Sequence, residues 1–448
     1  MKKLVTLLAA AGMVVAASAP ASAADIKVDG FQMFTFERQH YGFADKDTGD
    51  NSETVKQRTR IGLKVTASEN LSGYVQFQMG SETWGNYNRP SNVSGDKHGR
   101  YDVQTRQAYV DWTVPATAVK VRMGRQQLGL PTDAFGGNAV MAAGWGGRDG
   151  VAVSAPVADW LGLNAFWVRS AASGNDVDQD DNADVFGLAA PMKFDGIAVT
   201  PYVAYAAIDD GAHTALGLSE TEDIDLAGGA DVYWAGFSST FTAFDPFTLK
   251  LSAAYGKAEY TDENVGDDRD GWYVQAKASY KLGFGTPVFG FWYASGDDKN
   301  VDNAGEGWIP MVNGQFTPTT SYHNGAYGLG GELALENIAG TMGVQLGIED
   351  VSFISDLTHE FKVTWMQGTN HKSHAADVLA DGDIDPAAYL TTEDNVFAFD
   401  FGTTYKIYKN LAANLELSYL INDFGSDYTK AGYDENDWRA ALTFKYSF

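Results

Sequence analysis

From residue 26 to the last residue the chain is built of short stretches in which every second side chain is apolar. In VKQRTRIGLKVTA (55–67), Val55, Ile61, Leu63 and Val65 share one side, and Lys56, Arg58, Arg60 and Lys64 the other. In WYVQAKASYKL (272–282), Trp272, Val274, Ala276, Ala278, Tyr280 and Leu282 alternate with Tyr273, Gln275, Lys277, Ser279 and Lys281. FTLKLSAAYG (247–256), LAANLELSYLI (411–421) and the terminal DWRAALTFKYSF (437–448) repeat the pattern. Side chains of a strand point alternately to opposite faces, so each stretch reads as a strand with one oily and one wet face. Strands are expected near 26–37, 55–67, 71–83, 101–113, 118–128, 148–157, 161–171, 184–193 and 196–208. They continue near 230–243, 247–259, 271–282, 286–296, 340–353, 358–368, 395–407, 411–421 and 436–448. The count is about 18, with 16 as the alternative and the segments 26–37 and 324–353 the open ones. No stretch of helical period competes with them.

The connections fall into two classes that alternate strictly. SEN (68–70), ADW (158–160), FD (194–195), FDP (244–246) and YKN (408–410) are tight turns, whereas their counterparts run from about a dozen residues up to the segment near 297–339. In an up-and-down barrel this puts the turns at one end and the loops at the other, as in outer-membrane barrels. A soluble sandwich would not keep that alternation over residues 24–448. Alternation alone does not say which face is inside. Strand number does: about eight strands leave an interior that side chains fill, and 16–18 leave an aqueous channel. The expected fold is therefore all-β, a transmembrane antiparallel barrel with a wet lumen and its apolar face toward lipid.

The first residues, MKKLVTLLAAAGMVVAASAPASA, combine two lysines, an apolar run and Ala21-Ser22-Ala23, the pattern of a cleaved secretory signal peptide at 1–23. The apolar run is shorter than the roughly 20 residues of a spanning helix. The expected organisation is that leader followed by one barrel domain at 24–448. The chain has no cysteine, so an extended hydrogen-bonded sheet rather than disulfides must hold the exported protein. Its formal charge of −26 becomes −28 once Lys2 and Lys3 are removed, which argues against nucleic acid. Forty-nine glycines and 13% aromatics suit a β-rich chain with many turns. Trp84, Trp112, Trp160, Tyr408, Trp438 and Phe448 lie near strand ends, where rings meet lipid headgroups.

Several motifs resemble the Gram-negative general porins, most closely the homotrimeric outer-membrane porins of sulfate-reducing bacteria. They are TRQAYVDW (105–112), VKVRMGRQQ (119–127), LGLPTDAFGG (128–137) and the terminal KYSF, together with the leader. The resemblance implies a bacterial outer-membrane location, a homotrimer, contact with outer-membrane lipid and lipopolysaccharide, and passive diffusion of small hydrophilic solutes and ions. It implies that the C-terminal strand, with Tyr446 and Phe448, is read by the membrane-insertion machinery. It also implies that the third long loop, 130–147, folds into the barrel and sets an acid against wall cations. Asp133 is that loop's one carboxylate. The wall candidates are Lys56, Arg58, Arg60, Arg106, Lys120, Arg122 and Arg125, with Lys64 beside them. Arg125 has the opposite parity from Lys120 and Arg122 unless Gly124 forms a bulge. Many cations against one acid point to an eyelet that favours anions. The plainer alternative pairs these cations with Glu37, Glu53, Asp102 and Asp111. A substrate-specific channel with a saturable site for a small anion is the second functional reading.

Other chemistry is weak. DVDQDDNAD (176–184) starts like a calcium loop but lacks its Gly at the sixth position and Glu at the twelfth. It allows a loosely held divalent ion at most, and no cofactor is expected. HKSH (371–374) offers two imidazoles without a third ligand nearby in sequence. The seven histidines fall in loops or at strand edges without a serine motif, so no enzyme is expected.

Overall fold

Alternation along each stretch becomes a closed sheet. The computed structural model describes residues 25–40, 51–85, 103–141, 147–171, 182–209, 229–261, 268–299, 307, 316, 318–319, 339–381, 389–433 and 435–448. The leader expected at 1–23 lies outside these residues, as do Asp102, 142–146 of the third loop, and 176–181. The first strands are β1 (Asp25–His40), β2 (Asn51–Ser68), β3 (Leu71–Thr83), β4 (Val103–Thr113), β5 (Lys120–Gln126), β6 (Arg148–Ala158) and β7 (Leu161–Ala171). Then come β8 (Ala183–Ala189), β9 (Met192–Phe194), β10 (Ile197–Ile208), β11 (Ala230–Phe244), β12 (Phe247–Tyr260), β13 (Arg269–Tyr280) and β14 (Thr286–Ala294). The last are β15 (Thr341–Ile354), β16 (Leu357–Gly368), β17 (Asn395–Tyr408), β18 (Leu411–Asp423) and β19 (Asp437–Ser447).

β8 and β9 both pair with β10 and form a single stave, so the barrel has 18. The ladder breaks at Pro191, which has no N–H to donate. Every pairing between staves is antiparallel and joins staves that are neighbours in the barrel, and β1 closes the cylinder on β19 from Phe31↔Ser447 to His40↔Trp438. Closure leaves no open edge, the condition for a sheet in lipid. The seam is tied by reciprocal bonds of 3.0 Å between the backbones of Gly30 and Phe448. Of the two open segments, 26–37 lies in stave β1 and the 341–353 part of 324–353 in stave β15, whereas 324–338 lies outside the described residues.

The outer face is oily. Leu346 is 58% exposed, Val203 50% and Phe289 46%, whereas Thr35, Glu37, Arg58, Gln275 and Asp400 are buried on the inner side. On the outer face a charged rung marks the loop-side edge of the apolar band. Arg125 meets Asp149 at 2.7 Å and Arg169 meets Asp184 at 2.6 Å, with the Trp167 indole donating to Asp184. No helix among the described residues is long and apolar enough to cross a membrane, which says nothing of a β-barrel.

At the loop end, two short helices, α1 (Ala375–Asp381) and α2 (Ser426–Ala431), pack with Leu390 and Phe424 into a small cap. Its buried hub is Asp297, which accepts from Arg269 at 2.7 Å and from Tyr389 at 2.9 Å, while its amide donates to Asn370.

Candidate functional site: the pore constriction

Two loops enter the lumen and lie on the same half of its wall. In the third loop, between β5 and β6, the Ala134 amide donates to Ser252 Oγ at 3.0 Å and the Phe135 amide to Gln275 Oε1 at 3.3 Å. Ser252 and Gln275 are buried, lumen-side residues of β12 and β13. The long segment between β14 and β15 reaches the wall beside it. Gln345 donates to the Pro318 carbonyl at 2.7 Å, and Thr319 donates to Asp400 at 3.0 Å. The two loops meet through Phe135 and Phe316, whose ring centroids are 5.5 Å apart, and both lie edge-on to Trp292. Gly290 makes room for Phe135: a Cβ there would sit 2.5 Å from the ring.

Asp133 does not take the place expected of it. It is 3% exposed, locked between the loop and the β11–β13 wall. Its carboxylate accepts from the Tyr273 hydroxyl at 2.9 Å, from Ser238 at 3.4 Å and from the Ala139 amide at 2.7 Å. Burial pushes its carboxyl up to about 7, against the pull of those hydrogen bonds. It is a latch that holds the loop down, not an acid presented to passing solute. Since Asp133 is the one carboxylate in 130–147, this stretch of loop brings no exposed acid to the pore.

The wall cations separate into three groups. Arg58, Arg60 and Arg106 form one cluster on β2 and β4, close enough for mutual repulsion. Arg60 Nε donates to Gln78 Oε1 at 2.8 Å, Arg106 Nη1 to the same oxygen at 3.3 Å, and Arg58 Nε to Ser81 Oγ at 2.8 Å. No described carboxylate lies in ion-pair range of Arg60 or Arg106. Arg106 points inward because the β3–β4 register shifts between Gln76 and Phe77, so that Arg106 is the extra residue of a bulge.

The second group is paired, as the plainer alternative has it. Arg122 grips Asp111 with two bonds of 2.6 and 2.9 Å, Lys120 meets Asp111 at 2.9 Å, and Lys56 lies 3.8 Å from Glu37. Arg122 also sits over the Tyr109 ring at 3.9 Å. The third group is Arg125 alone, and its placement corrects the expected one. The β4–β5 and β5–β6 ladders run through Gly124 without a register shift, so Arg125 stays on the outer face with Asp149. It is not a pore residue. At the seam, Tyr446 and Phe448 continue the outward series of Phe444, and their rings lie 5.8 Å apart.

The sequence reading missed Gln78, Tyr273 and Phe316. Gln78 was legible in principle, because YVQFQ (74–78) places it on the wet side with Tyr74 and Gln76. Phe316 was not, since it lies in a loop without period. Of the weaker signals, His371 Nδ1 bonds to Ser373 and His374 Nε2 to the Asp298 carbonyl. No group of three or more potential metal ligands occurs among the described residues.

Residues 8–165 match the sequence model of a family described as Gram-negative porin. No curated protein matches the sequence. Among solved structures, Pseudomonas aeruginosa OpdK with vanillate superposes with a TM-score of 0.56 at 12% identity, covering 94% of this chain and 98% of the other. P. aeruginosa OccK2 (OpdF) in complex with glucuronate gives 0.54 at 14% identity over 94% and 98%, and P. aeruginosa OpdQ gives 0.54 at 14% over 95% and 98%. At these identities the likeness is one of fold. A specific tie to the porins of sulfate-reducing bacteria finds no support among these matches.

Proposed function

We propose that the chain is a passive outer-membrane channel for small hydrophilic solutes that favours anions. One observation carries the reading. Arg60, half-buried, and Arg106, 6% exposed, lie on the inner side of the wall beside a neutral glutamine, and the single carboxylate of the docked loop stretch 130–147 is sealed against the wall. The Arg60–Arg106 side of the wall is then positive, and the third-loop stretch 130–147 sets no exposed acid against it. In a narrow gap between low-dielectric walls such charge concentrates counter-ions. The test is entry of matched solutes into proteoliposomes. Anions should enter fastest, neutral sugars next and cations last; equal or cation-favouring rates would end the proposal.

A second reading, a channel with a saturable site for one small anion, has its own support. Two loops, not one, narrow the lumen, and the molecules named with OpdK and OccK2, vanillate and glucuronate, are both carboxylates. Flux that saturates with solute concentration would favour it; flux linear in concentration favours simple diffusion. The homotrimer, the contact with lipopolysaccharide and reading of the Phe448 end by the insertion machinery are proposals that rest on the porin resemblance. Cross-linking of the detergent-purified channel tests the first.

A further inference from the structure

We infer that Gln78 is the positioning residue of the pore's guanidinium pair: it holds Arg60 and Arg106 in place with a neutral oxygen, so that neither positive charge is cancelled. The inference rests on the anion-favouring reading of the same wall. Its geometry starts at Gly80, whose φ of +73° lies in the left-handed region open to glycine. Gly80 belongs to the stretch where the β2–β3 register shifts, between Gln57 and Thr59. Its carbonyl accepts from Gln78 Nε2 at 2.8 Å. That bond fixes the amide with Oε1 toward the arginines, which can only donate. Oε1 then takes Arg60 Nε at 2.8 Å and Arg106 Nη1 at 3.3 Å, using both lone pairs.

Gln78 is only 8% exposed, so the amide has little freedom to turn. Two arginines that converge on one buried group ordinarily meet a carboxylate, with which they form shorter, charge-assisted bonds. A carboxylate here could accept from both guanidiniums, but it would remove one unit of positive charge and, having no donor, would set an oxygen against the Gly80 carbonyl. The amide separates the two effects. Donors exceed acceptors around it: Arg106 Nε is buried without a hydrogen-bond partner among the described residues. The bulge that turns Arg106 inward and the left-handed glycine that aims Gln78 serve the same pair of guanidiniums.

The experiment compares Gln78→Glu, Gln78→Met and the double variant Arg60→Gln/Arg106→Gln in planar bilayers under a potassium chloride gradient. Heat-modifiable gel mobility confirms that each variant is a folded barrel. Gln78→Glu should lower the chloride-to-potassium permeability ratio about fivefold, since one added charge raises cations and lowers anions together. Gln78→Met is neutral and similar in length. It should keep the ratio within about twofold but add conductance substates that wild type lacks, as the released guanidiniums find other acceptors. It also keeps the test alive should Gln78→Glu block assembly. A ratio unchanged in Gln78→Glu but lowered in the double variant would overturn the role of Gln78 alone. A Gln78→Met channel indistinguishable from wild type would do the same. A double variant with an unchanged ratio would instead overturn the anion-favouring reading beneath it.

Discussion

Docking of the third loop should depend on protons, and the structure sets the size of the effect. Asp133 is buried against the wall with its carboxyl pushed up to about 7, whereas released into water it returns to 3.8. The docked state therefore holds the proton more tightly than the released one. Docking is fully favoured below about pH 4, weakens as pH rises, and reaches its limit above about pH 7. Each pH unit in that window is worth about 1.4 kcal/mol, so the whole interval changes docking by up to about 4 kcal/mol. Hydrogen exchange at Ala134 and Ala139 reads the release directly, because their amides donate to Ser252 and to Asp133 itself. Between about pH 4.5 and 6.5 these amides should lose protection by up to roughly tenfold per unit beyond the ordinary base-catalysed acceleration, then level off. Asp133→Asn removes the titrating group and should show the ordinary acceleration only. If that variant keeps the extra slope, or if wild type lacks it, the latch reasoning is wrong.

Three further outcomes follow from other contacts. Gly30→Ala places a Cβ 2.3 Å from the Arg60 carbonyl and 2.8 Å from the Phe448 ring, and should weaken the seam by about 1–3 kcal/mol, read as a lower heat-unfolding temperature. Glu37→Ala leaves Arg439, 3% exposed, with Glu416 at 3.3 Å as its remaining described carboxylate partner, and should cost about 3 kcal/mol in denaturant titration. Asp297→Ala removes the carboxylate that meets the buried guanidinium of Arg269 at 2.7 Å at the hub of the cap; limited proteolysis should then cut within 369–381 or 389–394 several-fold faster, while the barrel remains folded.

Much of the fold was legible because a closed barrel obeys a period of two in every stave. VKQRTRIGLKVTA and DWRAALTFKYSF each declare a wet and an oily face, and the two classes of connection declare the two ends. Even the parity of Arg125 was readable, and its outward place needed only that Gly124 form no bulge. What alternation cannot carry is a bulge that does occur. Arg106 points inward only through the register shift opposite Gln76 and Phe77, and nothing in TRQAY marks it. Nor can alternation describe a loop. Asp133 looked like a pore acid because it was the one carboxylate available. Its burial depends on Tyr273 and Ser238, more than a hundred residues away in the chain.

The reversal potential of the purified channel in a planar bilayer under a potassium chloride gradient tests the central claim most directly. A water-filled lumen with uncancelled guanidiniums predicts a potential on the chloride side of zero, moving toward zero in Arg60→Gln/Arg106→Gln. A potential on the potassium side, or no conductance at all, would contradict it.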